Sequence, residues 1–208
     1  IPVVSAPQAR PVKLALKKAA ERVGAPIFFA GNEPGDQIEF SYRFESSRIA
    51  GPQARICVAT DTSHFDHLAV PLVGEHQAVN CGVAIGILDQ LKIRGFKIDD
   101  EASIAGLAKV RLPGRMEMIC SQPRVLVDVA HNAASIEALM RAIGQNISSE
   151  TMVVIFGCCN DKDVPGMLRQ VQLGADKIIF TRINSPRSAD PAELNTLFAE
   201  VSGNSRMA

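Results

Sequence analysis

From Gly114 onward the chain keeps one order of elements: a short apolar run, a polar loop, then a helix start. Residues 124–128 lead to Asn132, which can cap a helix running through Ile147. Residues 151–156 lead to Asp163, with Pro165 in the first turn of the next helix. Residues 177–181 lead to Asp190-Pro191-Ala192-Glu193. That stretch joins an N-cap acid, a proline at the first helical position and a Glu three residues past the cap. Strands that alternate with helices call for a parallel sheet with helices packed on its faces. The fold class is therefore α/β.

The chain divides near Pro113-Gly114, and the pattern before it is mixed. Residues 9–23 predict an amphipathic helix stopped by Gly24 and Pro26. Strand-like runs follow at 26–30, 37–43 and 54–60, with turns at Gly31, Gly35 and Gly51-Pro52. In the second run Ile38, Phe40 and Tyr42 alternate onto one face. A further run, 67–73, leads into Gly74. Residues 75–91 then form a very apolar helix, with Val79, Val83, Ile87 and Leu91 at every fourth position and Cys81, Ala84, Ile85 and Leu88 between them. Such a helix is buried on most of its surface. Asp99 or Asp100 caps a shorter helix reaching about Lys109.

Composition excludes several classes. Lys+Arg and Asp+Glu are both 22, a net charge of zero. A neutral chain lacks the basic surface of a nucleic-acid binder and the polybasic patch of a membrane anchor. With 47% hydrophobic and 21% charged residues the chain is globular rather than disordered. Its apolar runs fall far short of the roughly 20 residues of a membrane span. The five cysteines are odd in number, lack any C-x-x-C, and include the adjacent Cys158-Cys159. They fit reduced thiols in the cytoplasm, and the four histidines are not spaced with them as zinc ligands. The chain opens on Ile1-Pro2-Val3-Val4 without an initiating Met and stops at Arg206-Met207-Ala208, which suggests a fragment.

Ligands of open parallel sheets bind beyond the carboxyl ends of the strands. Each strand-like run after Gly114 ends in polar residues. The first gives Asp128, His131 and Asn132; the second Asn160, Asp161, Lys162 and Asp163; the third Thr181, Arg182, Asn184, Ser185 and Arg187. If the strands are parallel these share one rim, suited to a small charged ligand, although polar loops are also simply solvated loops and caps. Upstream, His76 and Asn80 share a helix face at i and i+4, with Gln77 beside Asn80. An Asn there can donate to and accept from a base edge, or can belong to an ordinary helix start. Leu112-Pro113-Gly114-Arg115 is a tight turn followed by a guanidinium fork suited to phosphate. No G-x-x-x-x-G-K-[ST] phosphate loop occurs.

Each motif is weak alone. In order, Gly74-Glu75-His76-Gln77 with Asn80, Leu112-Pro113-Gly114-Arg115, Asp128-Val129-Ala130-His131-Asn132, Phe156-Gly157 with Asp161-Lys162-Asp163, and Ser185-Pro186-Arg187 resemble the folylpolyglutamate synthase/dihydrofolate synthase family of the Mur ligase superfamily. The resemblance covers nearly the whole chain. It implies the end of a Mur-ligase-type central ATPase domain over 1–115, then a Rossmann-like glutamate ligase domain with a mainly parallel sheet over 116–208, expected to be truncated. The implied reaction is ATP-driven amide ligation: a folate carboxylate is phosphorylated, and the amino group of L-glutamate displaces phosphate. Mg²⁺ and cationic donors offset the charge, and two domains close over the nucleotide.

The resemblance assigns ATP contacts to three residues: Asn80 to adenine, Arg115 to the phosphates and Asp128 to the ribose hydroxyls. It assigns catalytic roles to His131, at the cleft and the incoming glutamate, and to Lys162, facing a substrate carboxylate. His76 and Gln77 position the helix. Val129 stands where the family usually has Gly, and Ala133 where it has Pro; neither change removes a contacting side chain. The phosphate loop and the Mg²⁺ ligands of the family would lie upstream of Ile1, so the chain alone is expected to be inactive, with no metal ligands of its own. Folate and L-glutamate are the implied partners of a cytoplasmic monomer that binds neither nucleic acid nor membrane. Dihydrofolate synthase activity is left open. A peptidoglycan-building Mur ligase is the near alternative, against which His76-Gln77 and the Asp-Lys-Asp loop speak. A non-catalytic nucleotide- or glutamate-binding α/β module is the distant one.

Overall fold

The computed structural model describes residues 1–47 and 51–203. It divides into two units, Ile1–Arg111 and Leu112–Ala208, so the 112–115 turn belongs with the second.

The first unit runs β1 (Val3–Ser5), α1 (Arg10–Arg22), β2 (Ile27–Gly31), β3 (Ile38–Ser47), β4 (Gly51–Ala59), β5 (His64–Val70), α2 (Glu75–Ile93) and α3 (Asp100–Leu107). Its five strands lie in sequence order in one sheet. β1 and β2 are parallel, with Val3 opposite Ile27, and β2 meets β3 in parallel at Ala30 and Ile38. β3, β4 and β5 form an antiparallel meander. Ile38 and Phe40 are buried, as their alternation predicts; the side chain of Tyr42 lies outside the described residues. Gly51-Pro52 opens β4 instead of forming a turn, pairing with Ser47 and Ser46.

α2 lies across β1 to β4. Its buried stripe is not the expected Val79, Val83, Ile87 and Leu91 series. Ala78, Cys81, Gly82, Ile85, Gly86 and Asp89 are buried, whereas Ile87 is 46% exposed. The reason is the distance between helix and sheet. A Cβ on Gly82 would lie 2.5 Å from the Phe40 ring, and one on Gly86 would lie 2.5 Å from Ile38 Cδ1. Small residues let α2 settle onto those side chains, and larger ones are turned to its flanks. The buried Asp89 carboxylate accepts the Thr62 N–H at 3.0 Å and the Thr62 hydroxyl at 2.6 Å, which offsets its desolvation. Asp99 caps α3 by accepting the Ala102 N–H.

The second unit runs β6 (Glu117–Ser121), β7 (Arg124–Val127), α4 (Ala133–Asn146), β8 (Val153–Phe156), α5 (Val164–Val171), β9 (Lys177–Phe180) and α6 (Pro191–Ser202). β8 and β9 pair in parallel, from Val153 opposite Lys177 to Phe156 opposite Phe180. β7 hydrogen-bonds antiparallel to β6, a strand absent from the sequence expectation. Every residue of β6 is exposed, so it carries no burial period to read. The core gathers Ile136, Phe156, Leu168, Ile178, Leu194 and Phe198, and Phe180 meets Phe156 and Phe198 edge-on. The predicted caps are present: Asn132, Asp163 and Asp190 each accept a backbone N–H at the start of α4, α5 and α6. Ala133 takes the place of a first-turn proline, and Ser135 completes a capping box with Asn132.

Candidate active site

Asp128 directly follows β7. Its Oδ1 accepts the Ala130 N–H at 2.8 Å, and its Oδ2 accepts the Met116 N–H at 2.9 Å. The carboxylate thus ties the strand end to the 112–116 turn. The tie is doubled by the Val129 N–H donating to the Gly114 carbonyl at 2.9 Å. Gly114 has φ +65°, and a Cβ there would lie 2.8 Å from Val129 Cγ1. Glycine is therefore required twice over, by backbone and by neighbour. Arg115 sits exposed at the crest of this turn. Asp128 is half-buried, and with Gly157 at the end of β8 it lines a cavity of about 740 Å³.

His131 follows on the same loop and is exposed. Its Nδ1 lies 3.2 Å from the Val129 carbonyl oxygen. A carbonyl only accepts, so in the neutral ring Nδ1 carries the proton and Nε2 keeps a free lone pair.

The loops after β8 and β9 are joined by backbone and side chains alike. The Thr181 N–H donates to the Phe156 carbonyl at 2.9 Å, the Asn160 N–H to the Arg187 carbonyl at 2.8 Å, and the Ala189 N–H to the Cys158 carbonyl at 2.9 Å. Asp161 Oδ2 then accepts from the Arg187 guanidinium at 2.7 Å and lies 3.9 Å from Lys162 Nζ. The Arg187 hydrogen bond holds the Asp161 carboxyl below its ordinary range. One carboxylate therefore holds two cations at this end of the β8–β9 pair. Arg182 pairs with Asp190, whose carboxyl is also held low, first by the Ala192 N–H and then by Arg182.

In the first unit, Asn80 is exposed on α2, its side-chain Nδ2 3.5 Å from the side-chain Oε1 of the buried Gln77. Of the candidate residues, the fold brings Arg115 and Asp128 together through the 112–116 turn. It gathers Lys162 with Asp161 and Arg187. Asp161 stands in the polar rim read from the sequence but without a role of its own, whereas Glu117 was not singled out; its only signal was its place two residues past Arg115. Among the described residues no group of three His, Cys, Asp or Glu side chains could hold a metal ion. The five cysteines are free. Burial pushes the Cys81 thiol up to about 11 and also raises Cys158, the behaviour of packing thiols rather than nucleophiles. Among the described residues no helix is long and apolar enough to cross a membrane.

Comparison with known proteins follows the same division. Residues 114–207 match the family model of the Mur ligase, glutamate ligase domain. The chain is 32% identical over 145 residues to a dihydrofolate synthase/folylpolyglutamate synthase of Mycobacterium tuberculosis, covering 69% of this chain and 30% of that protein. It is 28% identical over 170 residues to a UDP-N-acetylmuramyl-tripeptide synthetase of Lacticaseibacillus paracasei, covering 76% of this chain and 32% of that protein. It is also similar to the solved structure of Mycobacterium tuberculosis folylpolyglutamate synthase complexed with ADP. There the TM-score is 0.83 at 27% identity, over 96% of this chain and 43% of that one. The chain spans about a third of the length of the curated relatives that it matches.

Proposed function

We propose, on the premise that this chain carries a Mur ligase glutamate ligase domain, that it forms part of an ATP-dependent ligase adding L-glutamate to a folate. In this reading the first unit is the end of the central ATPase domain. The phosphate cradle comes from residues outside these 208, which contain no phosphate loop. Mg²⁺ would likewise be held mainly by residues outside these 208; among the described residues no group of three His, Cys, Asp or Glu could hold it.

Each residue then has a share of the work. Asn80 reads the adenine edge with an amide that can donate and accept. Asp128 binds the ribose hydroxyls: two of its roughly four acceptor positions are used by backbone N–H groups, and the others are open. Arg115 offers its guanidinium to the phosphates. The γ-phosphoryl passes to a folate carboxylate oxygen and ADP leaves. The amine of glutamate attacks the acyl carbon, phosphate departs, and an amide bond replaces the anhydride. Lys162 holds a substrate carboxylate against repulsion from the phosphates. His131, with Nε2 free in the neutral ring, stands to take a proton from the incoming ammonium. The protein acts as a monomer in the cytoplasm, a placement favoured by five unpaired cysteines.

What supports the reading most is the cationic pair Lys162 and Arg187 at the ends of β8 and β9, inside the matched domain. The test is ADP release by the polypeptide that carries these residues. We expect release that needs both folate and L-glutamate, and its loss on Lys162→Ala with an unchanged melting temperature. Release that needs a muramyl nucleotide sugar instead would move the protein to the peptidoglycan branch.

A further inference from the structure

Two carboxylates grip the backbone on either side of Arg115. Glu117 Oε2 accepts the Gly114 N–H at 2.7 Å, and Asp128 Oδ2 accepts the Met116 N–H at 2.9 Å. The Arg115 N–H itself donates to the Leu112 carbonyl at 3.1 Å. All three consecutive amides are thereby committed. The turn needs this restraint, because Gly114 has φ +65° and Met116, which is not a glycine, has φ +48°. Left-handed backbone at a side-chain-bearing residue persists only where its surroundings over-determine it. Gly114 and Met116 are buried while Arg115 between them is exposed, so the anchored neighbours hold one mobile side chain on a fixed base.

We propose that Glu117 is a positioning residue for Arg115. Its carboxylate fixes the turn from the β6 side, so that the guanidinium searches fewer conformations before it meets an anion. The inference rests on the reading of Arg115 as a phosphate contact. Asp128 cannot reveal this effect cleanly, since that reading also gives it the ribose. Glu117 can, because its bond is to backbone alone. An ordering effect of this kind acts on affinity rather than on chemistry.

The experiment uses the full polypeptide that carries these residues, in two arms. In the first, trypsin cleavage after Arg115 is timed by mass spectrometry, with cleavage after Arg111 and Arg124 as internal controls. Glu117→Ala should speed the Arg115 cut about tenfold and leave the controls unchanged. Glu117→Gln, whose amide oxygen can still accept, should restore most of the protection. An unchanged Arg115 cut, or equal acceleration at all three sites, would overturn the proposal. In the second arm ATP affinity is measured in a double-mutant cycle. Glu117→Ala should weaken ATP several-fold in the native background and not at all beside Arg115→Ala. Equal loss in both backgrounds would show that Glu117 does not act through Arg115. If Arg115→Ala by itself leaves ATP affinity intact, the phosphate reading of Arg115 fails, and the cleavage arm still decides whether Glu117 holds the turn.

Discussion

Asp128 and Asp161 are exposed enough to meet a ligand, yet both are already occupied by the protein. For Asp128 the occupation is by backbone, so removing its charge acts twice. Asp128→Asn should raise the ATP KM about tenfold through weaker ribose bonds, and should also loosen the 112–116 turn. An unchanged ATP KM would remove the ribose role and leave Asp128 as a clamp only. For Asp161 the occupation is by Arg187, and pH reports it. Its folded carboxyl titrates below the ordinary Asp value of 3.8, first because of the Arg187 hydrogen bond. The loop tie is therefore complete above that value and is lost as pH falls through the lower folded one. We expect the side-chain N–H resonances of Arg187 to hold steady from pH 8 to 5 and to move only below about 4. Movement near neutrality would assign the tie to another group. The sequence offered Asp128 as a ribose contact, but neither carboxylate's tie to the protein itself was legible there. Asp128 lies far from the 112–116 turn in sequence, adjacency to Lys162 only names Asp161 as a neighbour, and folded geometry alone shows which carboxylate oxygen faces which donor.

Helix starts were the most legible elements. Asn132, Asp163 and Asp190 cap where they were expected to, and of the two candidates Asp99 and Asp100 it is Asp99 that caps α3, because a cap is a local bond between near neighbours in sequence. Strands without a buried face were the least legible: β6 carries no period, and β1 is three residues long. The face of α2 was misread for a different reason. Hydropathy favoured the valines and leucines, whereas contact with the sheet selected the smallest residues. Phe40 and Ile38 rise where Gly82 and Gly86 leave room. Gly82→Ala tests this directly. Alanine favours a helix over glycine by about 1 kcal/mol, so at an open position the change would stabilise. Here the new methyl meets the Phe40 ring, and overpacking costs about 1–3 kcal/mol. We expect a net loss in urea unfolding, and a larger one for Gly82→Val. A gain with Gly82→Ala would mean that α2 stands off the sheet.

The two hydrophobic clusters share no residue. The first is built from Ala30 to Ile85 and the second from Ile136 to Phe198, each inside its own unit. The proposed ATP contacts are divided in the same way, with Asn80 in one unit and Arg115 and Asp128 in the other. Ile56 and Leu168 are each fully buried, one per cluster. Truncating either to alanine should cost about 2–5 kcal/mol. In a domain of about 100 residues, each kcal/mol moves the midpoint by about 4–8 °C. Calorimetry of the chain should show two transitions. Ile56→Ala should lower only one of them and Leu168→Ala only the other, while ATP affinity measured below both transitions stays unchanged. A single transition lowered equally by both substitutions would mean that the units unfold as one cooperative body. In that case a loss of ligand affinity in any variant could no longer be assigned to one unit without a stability control.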